Sequence, residues 1–184
     1  PVAFLTAHHG LHGIAGLQRG QRVLIHAAAG GVGLAAVQLA LRVGAEVFAT
    51  AGSNEKREHL LAMGVSHVMD SRSTAFAETV MRLTQGEGVH VVLNALAGDF
   101  IPAGLSTVAP GGWFLELGKR DIWTPQAVAE RHPAIRYRAY DLGDDVHAQP
   151  SMLAPLLGEV LAGLDDGSLT PLPVTSFALS QAAD

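Results

Sequence analysis

The chain has 184 residues, 48% of them hydrophobic, and a net charge of −5 from 12 basic and 17 acidic side chains. This length suits one domain with a hydrophobic core, and the absence of a basic face disfavours nucleic acid as a partner. The sequence contains no cysteine, which excludes disulfides and cysteine-ligated zinc and favours a reducing, cytoplasmic compartment. No apolar run approaches the roughly 18 residues of a membrane span, and no signal peptide pattern is present, so we expect no membrane partner.

Residues 1–20 have apolar side chains at helical spacing and predict a leading helix followed by a polar turn. Within it, His8 and His12 lie at i and i+4 on one face, a spacing that suits a metal ion. No acidic side chain or third ligand accompanies them, so partly buried or solvated histidines are the favoured interpretation.

Residues 22–44, RVLIHAAAGGVGLAAVQLALRVG, predict a buried strand, a glycine-rich turn and an amphipathic helix. This order is typical of the phosphate site in dinucleotide-binding folds. Free N–H groups at the start of the helix and the helix dipole, about half a positive charge, attract an anion there. We therefore predict that the cofactor diphosphate contacts Ala29, Gly30, Gly31, Val32 and Gly33.

The usual fingerprint of this turn is G-x-G-x-x-G, and here Ala28 replaces the first glycine. Ala28 can form the turn if its φ is negative. Gly30 allows the backbone to approach the diphosphate, and Gly33 allows the helix to pack closely on the strand. The alternative is a glycine-rich turn without a ligand, which the strand–helix pattern that follows makes less favourable.

The rest of the chain alternates between strand and helix patterns. Further strands are predicted at 46–51, 65–71, 89–96, 113–117 and 136–140. Further helices are predicted at 55–63, 75–84, 99–108, 125–131 and 152–164. Together these elements predict an α/β fold, a Rossmann-like doubly wound parallel sheet of about six strands with helices on both faces. We expect one dinucleotide-binding domain over residues 1–184.

The residues after the second predicted strand indicate which nicotinamide cofactor is bound. An acidic side chain there would bind the ribose 2′-hydroxyl of NAD, and none is present. The chain instead has Thr50 and Ser53, followed by the cations Lys56 and Arg57. We predict that these four residues contact NADPH, because cations favour its 2′-phosphate. The alternative is that the two cations are solvated side chains on a surface helix.

The carboxyl ends of the later strands carry a second group of candidates, since ligands of open α/β sheets bind at that edge. Asn94 lies near the end of the fourth strand, and Leu117 and Gly118 end the fifth, so we predict that they contact the cofactor. An asparagine satisfied by protein groups is an equal alternative. Lys119 and Asp141 follow the fifth and sixth strands and can share a proton transfer. A structural ion pair or two solvated side chains remain alternatives there.

Four ordered segments resemble the enoyl reductase domain of modular polyketide synthases: HAAAGGVGLAAVQLA (26–40), TAGSNEKR (50–57), VVLNALAG (91–98) and FLELGKRD (114–121). The enoyl reductase of animal fatty acid synthase is similar. Both belong to the zinc-free branch of the medium-chain dehydrogenase/reductase superfamily. Residues 172–184, predicted to begin as an extended segment over 172–179, resemble the start of the family's return segment to a substrate domain. We expect that this sequence is a piece of a longer protein and lacks that domain.

The resemblance implies NADPH-dependent reduction of the α,β double bond of an enoyl thioester, with a hydride added to the β carbon and a proton to the α carbon. Its implied partners are an acyl carrier protein, which holds the substrate on phosphopantetheine, and other domains of the same synthase. The family's proposed proton donors match Lys119 and Asp141, and Lys56 matches a family lysine close to the cofactor phosphate. Many relatives have an aromatic pair where His8 and His9 stand.

Two alternative functions remain open. A free-standing quinone oxidoreductase shares the sequence A-x-x-G-G-V-G, but the LGK sequence at 117–119 together with Asp141 favours the synthase. A non-catalytic scaffold with a dinucleotide fold would have a degraded glycine turn, whereas the turn is intact here. A short-chain dehydrogenase is disfavoured because neither Tyr137 nor Tyr140 is followed four residues later by lysine.

Overall fold

The structure, a computed structural model, describes residues 1–174 and 176. Strands and helices alternate along the chain. The strands are β1 (Arg22–Ile25), β2 (Glu46–Ala51), β3 (His67–Asp70), β4 (Val89–Asn94), β5 (Val108–Glu116) and β6 (Arg136–Ala139). The helices are α1 (Val2–His8), continued by a π-helical segment (His9–Ile14), α2 (Gly31–Val43), α3 (Asn54–Ala62), α4 (Phe76–Leu83), α5 (Phe100–Leu105), α6 (Pro125–Arg131), α7 (Leu142–Ala148), a 3-10 turn (Pro150–Met152) and α8 (Leu153–Asp165).

The six strands form one sheet in the order β3-β2-β1-β4-β5-β6, and every neighbouring pair is parallel. The direction of winding reverses between β1 and β4. Ligands of such sheets bind in the crevice at the carboxyl ends of the strands on either side of that reversal. This arrangement confirms the predicted α/β fold with a doubly wound, six-stranded parallel sheet.

Helices cover both faces of the sheet because successive side chains of each buried strand point to opposite sides. In β1, Val23 and Ile25 pack in a cluster with side chains of α1, α2, α3 and α8. Leu24, between them, packs in a second cluster with side chains of α4, α5 and α6. The sheet therefore separates two apolar cores, as near-continuous apolar strands predict.

Side-chain caps explain where several helices begin. The hydroxyl of Ser53 accepts from the N–H of Lys56 at the start of α3. The hydroxyl of Thr124 caps α6, whose first residue is Pro125. At the other end of α2, Gly44 adopts the left-handed conformation with φ of 80° and ends the helix.

The fifth strand begins earlier than we predicted. Residues 110–112 were expected to separate a helix from a strand that starts at Trp113, but they lie within β5, which begins at Val108. Val89 pairs with Val108, and Val91 pairs with Trp113, so three extra residues bulge out of β5 between these pairs. The pairing with β4, which is a tertiary contact, keeps a Pro-Gly-Gly sequence in the strand where the local sequence favours a turn.

Two further elements differ from the prediction. Helix α7, which we did not predict, begins directly after Asp141, whose carboxylate accepts from the N–H of Gly143 at 2.8 Å. The leading helix is confirmed, but its second half is π-helical, and the hydroxyl of Tyr140 donates to the carbonyl of Thr6 at 3.0 Å beside it.

Most of the segment over 172–184, where we predicted an extended return segment, lies outside the described residues. Among the residues that are described, no helix combines the length and the apolar character that a membrane crossing requires.

Candidate functional site

The turn between β1 and α2 has the tight geometry that its sequence predicts. Ala27 has a φ of 49°, and its carbonyl accepts from the N–H of Gly30 at 2.9 Å. The φ of Ala28 is not positive, so an alanine can occupy this position of the turn. A Cβ at Gly33 would lie 2.5 Å from the oxygen of Ala27 and 2.6 Å from Cα of Ala28. Close packing of α2 on the turn that follows β1 therefore requires glycine at position 33.

The turn and the first residues of α2 form an anion site. The first bond of this helix runs from the N–H of Leu34 to the carbonyl of Gly30, so the N–H groups of Gly31, Val32 and Gly33 have no acceptor within the helix. They border a cavity of about 180 Å³ whose lining contains glycine, apolar side chains and His26 but no carboxylate. These features fit a dinucleotide diphosphate, which would meet amide donors, the positive end of a 13-residue helix and no opposing charge.

Thr50 has a different place from the one that we expected. Its side chain is fully buried, and its hydroxyl lies 3.0 Å from Nδ1 of His26, so it is not presented to a ribose. The reason is the alternation of β2, which turns Thr50 to the same core as Phe48. The carbonyl of Thr50 accepts from the N–H of Ala28 at 2.9 Å and so anchors the turn. Burial lowers the pKa of His26 to about 3, which keeps this imidazole neutral.

The predicted cations lie beyond the end of β2 but differ in their surroundings. Lys56 is exposed, and no carboxylate of the described residues forms an ion pair with it. Arg57 is half-buried, donates to the carbonyl of Ala51 at 3.0 Å and lies 3.6 Å from the carboxylate of Asp70. Lys56 is therefore the more available charge for a phosphate, and Arg57 also holds β2, α3 and β3 together.

A third cation, Arg72, lies at the same place and was not predicted. A Cβ at Gly52 would be 3.5 Å from Nε of Arg72 and 3.4 Å from the hydroxyl of Ser71. Our prediction considered only residues that follow β2 in the chain, whereas Arg72 follows β3, the neighbour of β2 in the sheet. The signal was available in the sequence, since a third strand that pairs with the second brings its own end to the same edge.

Asn94, predicted to contact the cofactor, is fully buried at the end of β4. Its Nδ2 donates to the carbonyl of Leu96 at 2.8 Å and to the carboxylate of Glu116 at 2.7 Å. Its Oδ1 accepts from the N–H of Leu96 at 3.2 Å. The amide is thus satisfied by protein groups, which is the alternative that we kept open, and a direct contact with the cofactor stays a prediction.

Lys119 and Asp141 meet at the carboxyl edge, where β5 and β6 end. Nζ of Lys119 lies 2.7 Å from Oδ2 of Asp141, with side chains that are 67% and 41% exposed. The hydrogen bond between them raises the pKa of Lys119, and the same bond lowers the pKa of Asp141. At neutral pH the proton is therefore on the lysine. An open groove of about 490 Å³, partly lined by apolar side chains such as Val2, Leu5 and Val146, lies beside the pair.

His8 and His9, where α1 passes into the π-helical segment, contact acidic side chains of α8 and α7. Nε2 of His8 lies 2.8 Å from the carboxylate of Glu159, and its ring packs edge-on against that of His12. Burial and the neighbouring His8 lower the pKa of His12. Nε2 of His9 lies 2.7 Å from the carboxylate of Asp145. The described part of the chain contains no group of three or more His, Cys, Asp or Glu side chains placed to hold a metal ion.

Comparison with known proteins identifies the family to which this geometry belongs. The family described as "Zinc-binding dehydrogenase" matches residues 31–138. Mycoketide-CoA synthase of Mycobacterium tuberculosis is 51% identical over 178 residues, which are 96% of this chain and 4% of that protein. The chain spans only 4% to 8% of the length of the first curated relatives that it matches.

Solved structures give a closer match in length. The CurK enoyl reductase is 47% identical with a TM-score of 0.95, over 98% of this chain and 54% of that one. The nucleotide-binding subdomain of the enoylreductase domain of PpsC from Mycobacterium tuberculosis is 45% identical with a TM-score of 0.84, over 93% of this chain and 97% of that one. This chain belongs to the zinc-binding dehydrogenase family and, within it, to the nucleotide-binding subdomains of polyketide synthase enoyl reductases.

Proposed function

We propose that this chain is the NADPH-binding part of an enoyl reductase domain. The domain reduces the α,β double bond of an enoyl thioester held on the phosphopantetheine arm of an acyl carrier protein. The observation that carries the proposal is the common position of two features at the carboxyl edge of the sheet. The amides of the glycine turn follow the end of β1. Lys119 and Asp141, which pair with each other, follow the ends of β5 and β6.

The chemistry of the proposed reaction needs a hydride at the β carbon and a proton at the α carbon of the substrate. NADPH, when bound, supplies the hydride. Lys119 holds the proton, because the hydrogen bond to Asp141 raises the pKa of the lysine. Transfer of that proton to the α carbon leaves a neutral amine, and the adjacent carboxylate of Asp141 favours its reprotonation from water.

The preference for NADPH over NADH is assigned to the cations beyond β2. Lys56 is exposed and Arg72 lies beside Gly52, so both can approach a 2′-phosphate without breaking an existing ion pair of the described residues. Arg57 adds charge but already bonds Ala51 and Asp70. Charge-assisted hydrogen bonds of this kind discriminate a phosphate from a hydroxyl.

The proposed partners follow from the relatives, which are multidomain synthases many times longer than this chain. We place the carrier protein and the other synthase domains in the same cytoplasmic assembly. The groove beside Lys119 is open at the carboxyl edge, where an enoyl group can approach the pair.

The test is made on the intact parent protein. NADPH fluorescence is followed on mixing, and the loss of NADPH absorbance is then followed with a crotonyl thioester of N-acetylcysteamine. We expect saturable NADPH binding and reduction of the thioester, with NADH a poorer cofactor. Reduction of a quinone but not of the thioester would favour the oxidoreductase alternative. No fluorescence change at high micromolar NADPH would favour a non-catalytic scaffold.

A further inference from the structure

A buried carboxylate joins the ends of β4 and β5. The side chain of Glu116 is fully buried. Its Oε1 accepts from the N–H of Gly118 at 2.6 Å, and its Oε2 accepts from Nδ2 of Asn94 at 2.7 Å. Asn94 in turn donates to the carbonyl of Leu96 and accepts from its N–H. One carboxylate and one carboxamide thus hold the residues that follow both strands.

The arrangement of hydrogen-bond donors in this network requires a carboxylate at position 116. Both groups that point at Glu116 are N–H donors, so the side chain at position 116 must offer two acceptors. Glutamine has the same shape but offers one acceptor and one donor. Asn94 cannot compensate by turning over, since its Oδ1 already accepts from the N–H of Leu96. A glutamine therefore places two N–H donors against each other inside the protein, where an unmade hydrogen bond is costly.

The carboxylate also accounts for the glycine that follows it. A Cβ at Gly118 would lie 2.7 Å from Oε1 of Glu116. The next residue, Lys119, carries the ammonium that pairs with Asp141. The path of the chain from β5 to this ammonium is therefore set by the bond between the carboxylate and the N–H of Gly118.

We propose that Glu116 is a positioning residue for the reductase site, because its carboxylate and Asn94 together fix the two loops, 95–98 and 117–119, at the carboxyl edge. This inference rests on the proposed function only for its catalytic consequence. The hydrogen-bond network that carries it exists in the chain whatever the substrate. Burial raises the pKa of Glu116, and the bonds from Asn94 and Gly118, which favour the charged form, oppose that rise without cancelling it.

The experiment compares three variants of the intact parent protein. The first is Glu116→Gln. The second is the double variant Asn94→Asp with Glu116→Gln, which moves the carboxylate to position 94. The aspartate accepts from the N–H of Leu96 and from the glutamine, whose oxygen accepts from Gly118. The remaining cost is at the carbonyl of Leu96, which loses its donor and faces a carboxylate oxygen. The control is Thr84→Val, which removes a buried hydroxyl that bonds Val80 and Gly88 far from the carboxyl edge.

The readouts are kcat with the enoyl thioester, amide hydrogen exchange and the unfolding temperature. For Glu116→Gln we expect faster exchange in peptides covering 94–98 and 116–119, and a kcat lowered about tenfold or more, because small displacements of catalytic groups are this costly. The double variant should recover part of both losses. Thr84→Val should lower the unfolding temperature and leave kcat unchanged.

Two results would overturn the inference: an unchanged exchange rate at both loops in Glu116→Gln, or a kcat that falls no further than in Thr84→Val at equal loss of stability. If Glu116→Gln does not fold, the double variant tests the inference in its place. Failure of the double variant to fold would contradict the expectation that a carboxylate at position 94 can replace the one at position 116. If the unmodified parent does not reduce the thioester, the proposed function fails. The exchange measurements then test the positioning role by themselves.

Discussion

At the scale of single residues, Gly30 and Gly33 of the turn have different roles. A Cβ at Gly33 would lie within 2.7 Å of three backbone atoms of Ala27 and Ala28, whereas one at Gly30 would meet only the oxygen of Ala27, at 3.2 Å. Gly33 is therefore required for the fold. Gly30 is exposed, and we expect it to be required for the approach of a ligand.

The two positions can be separated by the same substitution. We expect Gly33→Val to lower the stability by about 1–3 kcal/mol or more, because a methyl group there overlaps the backbone. Gly30→Val should fold but should no longer bind NADPH, since a side chain blocks the backbone amides. Thermal unfolding and fluorescence titration measure the two effects. Unchanged affinity in Gly30→Val would contradict the placement of the diphosphate.

The cations beyond β2 give a second prediction at this scale. Alanine at both Lys56 and Arg57 should weaken NADPH binding about tenfold or more and should weaken NADH binding less, because bonds to a charged group are worth about 1.5–3 kcal/mol. Arg72→Ala should act in the same direction. Arg82→Ala, an exposed arginine on α4, is the matched control. A ratio of the two affinities that stays the same in all variants would remove these residues from cofactor selection.

At the scale of elements, the ends of β5 and β6 and the start of α7 organise the proton-transfer pair. Asp141 has two structural partners: its Oδ1 accepts from the N–H of Gly143 as the cap of α7, and its Oδ2 accepts from Lys119. The cap holds the carboxylate in place, and the pair raises the pKa of the lysine. Helix α7, which we did not predict, therefore positions Asp141, which we did predict as a member of the site.

Removal of both members of the pair tests whether they act as parallel donors. In the intact parent protein, Lys119→Ala combined with Asp141→Ala should slow reduction of the thioester more than either substitution alone. Lys119→Ala should be the more damaging single change, because the lysine holds the proton at neutral pH. The measurement is kcat for all three variants. Full activity in the double variant would show that water or another group protonates the α carbon.

The pair also predicts the pH dependence. The lowered pKa of Asp141 means that its contribution to stability is present above the ordinary aspartate pKa and is lost as the pH falls through the lowered value. The raised pKa of Lys119 means that the lysine stays protonated to a higher pH than an isolated lysine. We expect kcat to fall on the alkaline side. Asp141→Asn should move that fall to lower pH, and an unmoved profile would contradict the role of Lys119.

At the scale of the whole molecule, the sheet brings the carboxyl ends of all six strands to one edge, where the candidate site lies. Across β2, β1, β4 and β5, one row of buried polar side chains lies directly beneath the carboxyl edge: Thr50, His26, Asn94 and Glu116. Two hydrogen-bonded pairs form within this row. The edge that faces the ligand is thus supported by polar contacts, and the layer below it is apolar.

Because the cofactor would contact several of these segments at once, binding should stabilise the whole fold. At an NADPH concentration of 100 times Kd, we expect about 2.7 kcal/mol of added stability. For a chain of this size that is a rise of roughly 5–10 °C in Tm, since 1 kcal/mol shifts it by about 2–4 °C. A thermal scan with NADPH, with NADH as the control, measures it. The absence of any shift at saturating NADPH would contradict cofactor binding by this chain.

The sequence by itself determined the order of the six strands and the position of the glycine turn. Each of these depends on residues close together in the chain, whose periodicity and conformational preferences act locally. The Lys119–Asp141 pair was also predictable, because the carboxyl ends of parallel strands meet at one edge whatever lies between them.

Only the tertiary structure decided the remaining features. Glu116 is a carboxylate within an apolar strand, and its partner on β4, Asn94, is 22 residues away. The burial of Thr50 and the bulge in β5 likewise depend on which strand lies alongside. A buried polar group acquires its role from the donors and acceptors that folding brings to it, and no local pattern in the chain specifies those partners.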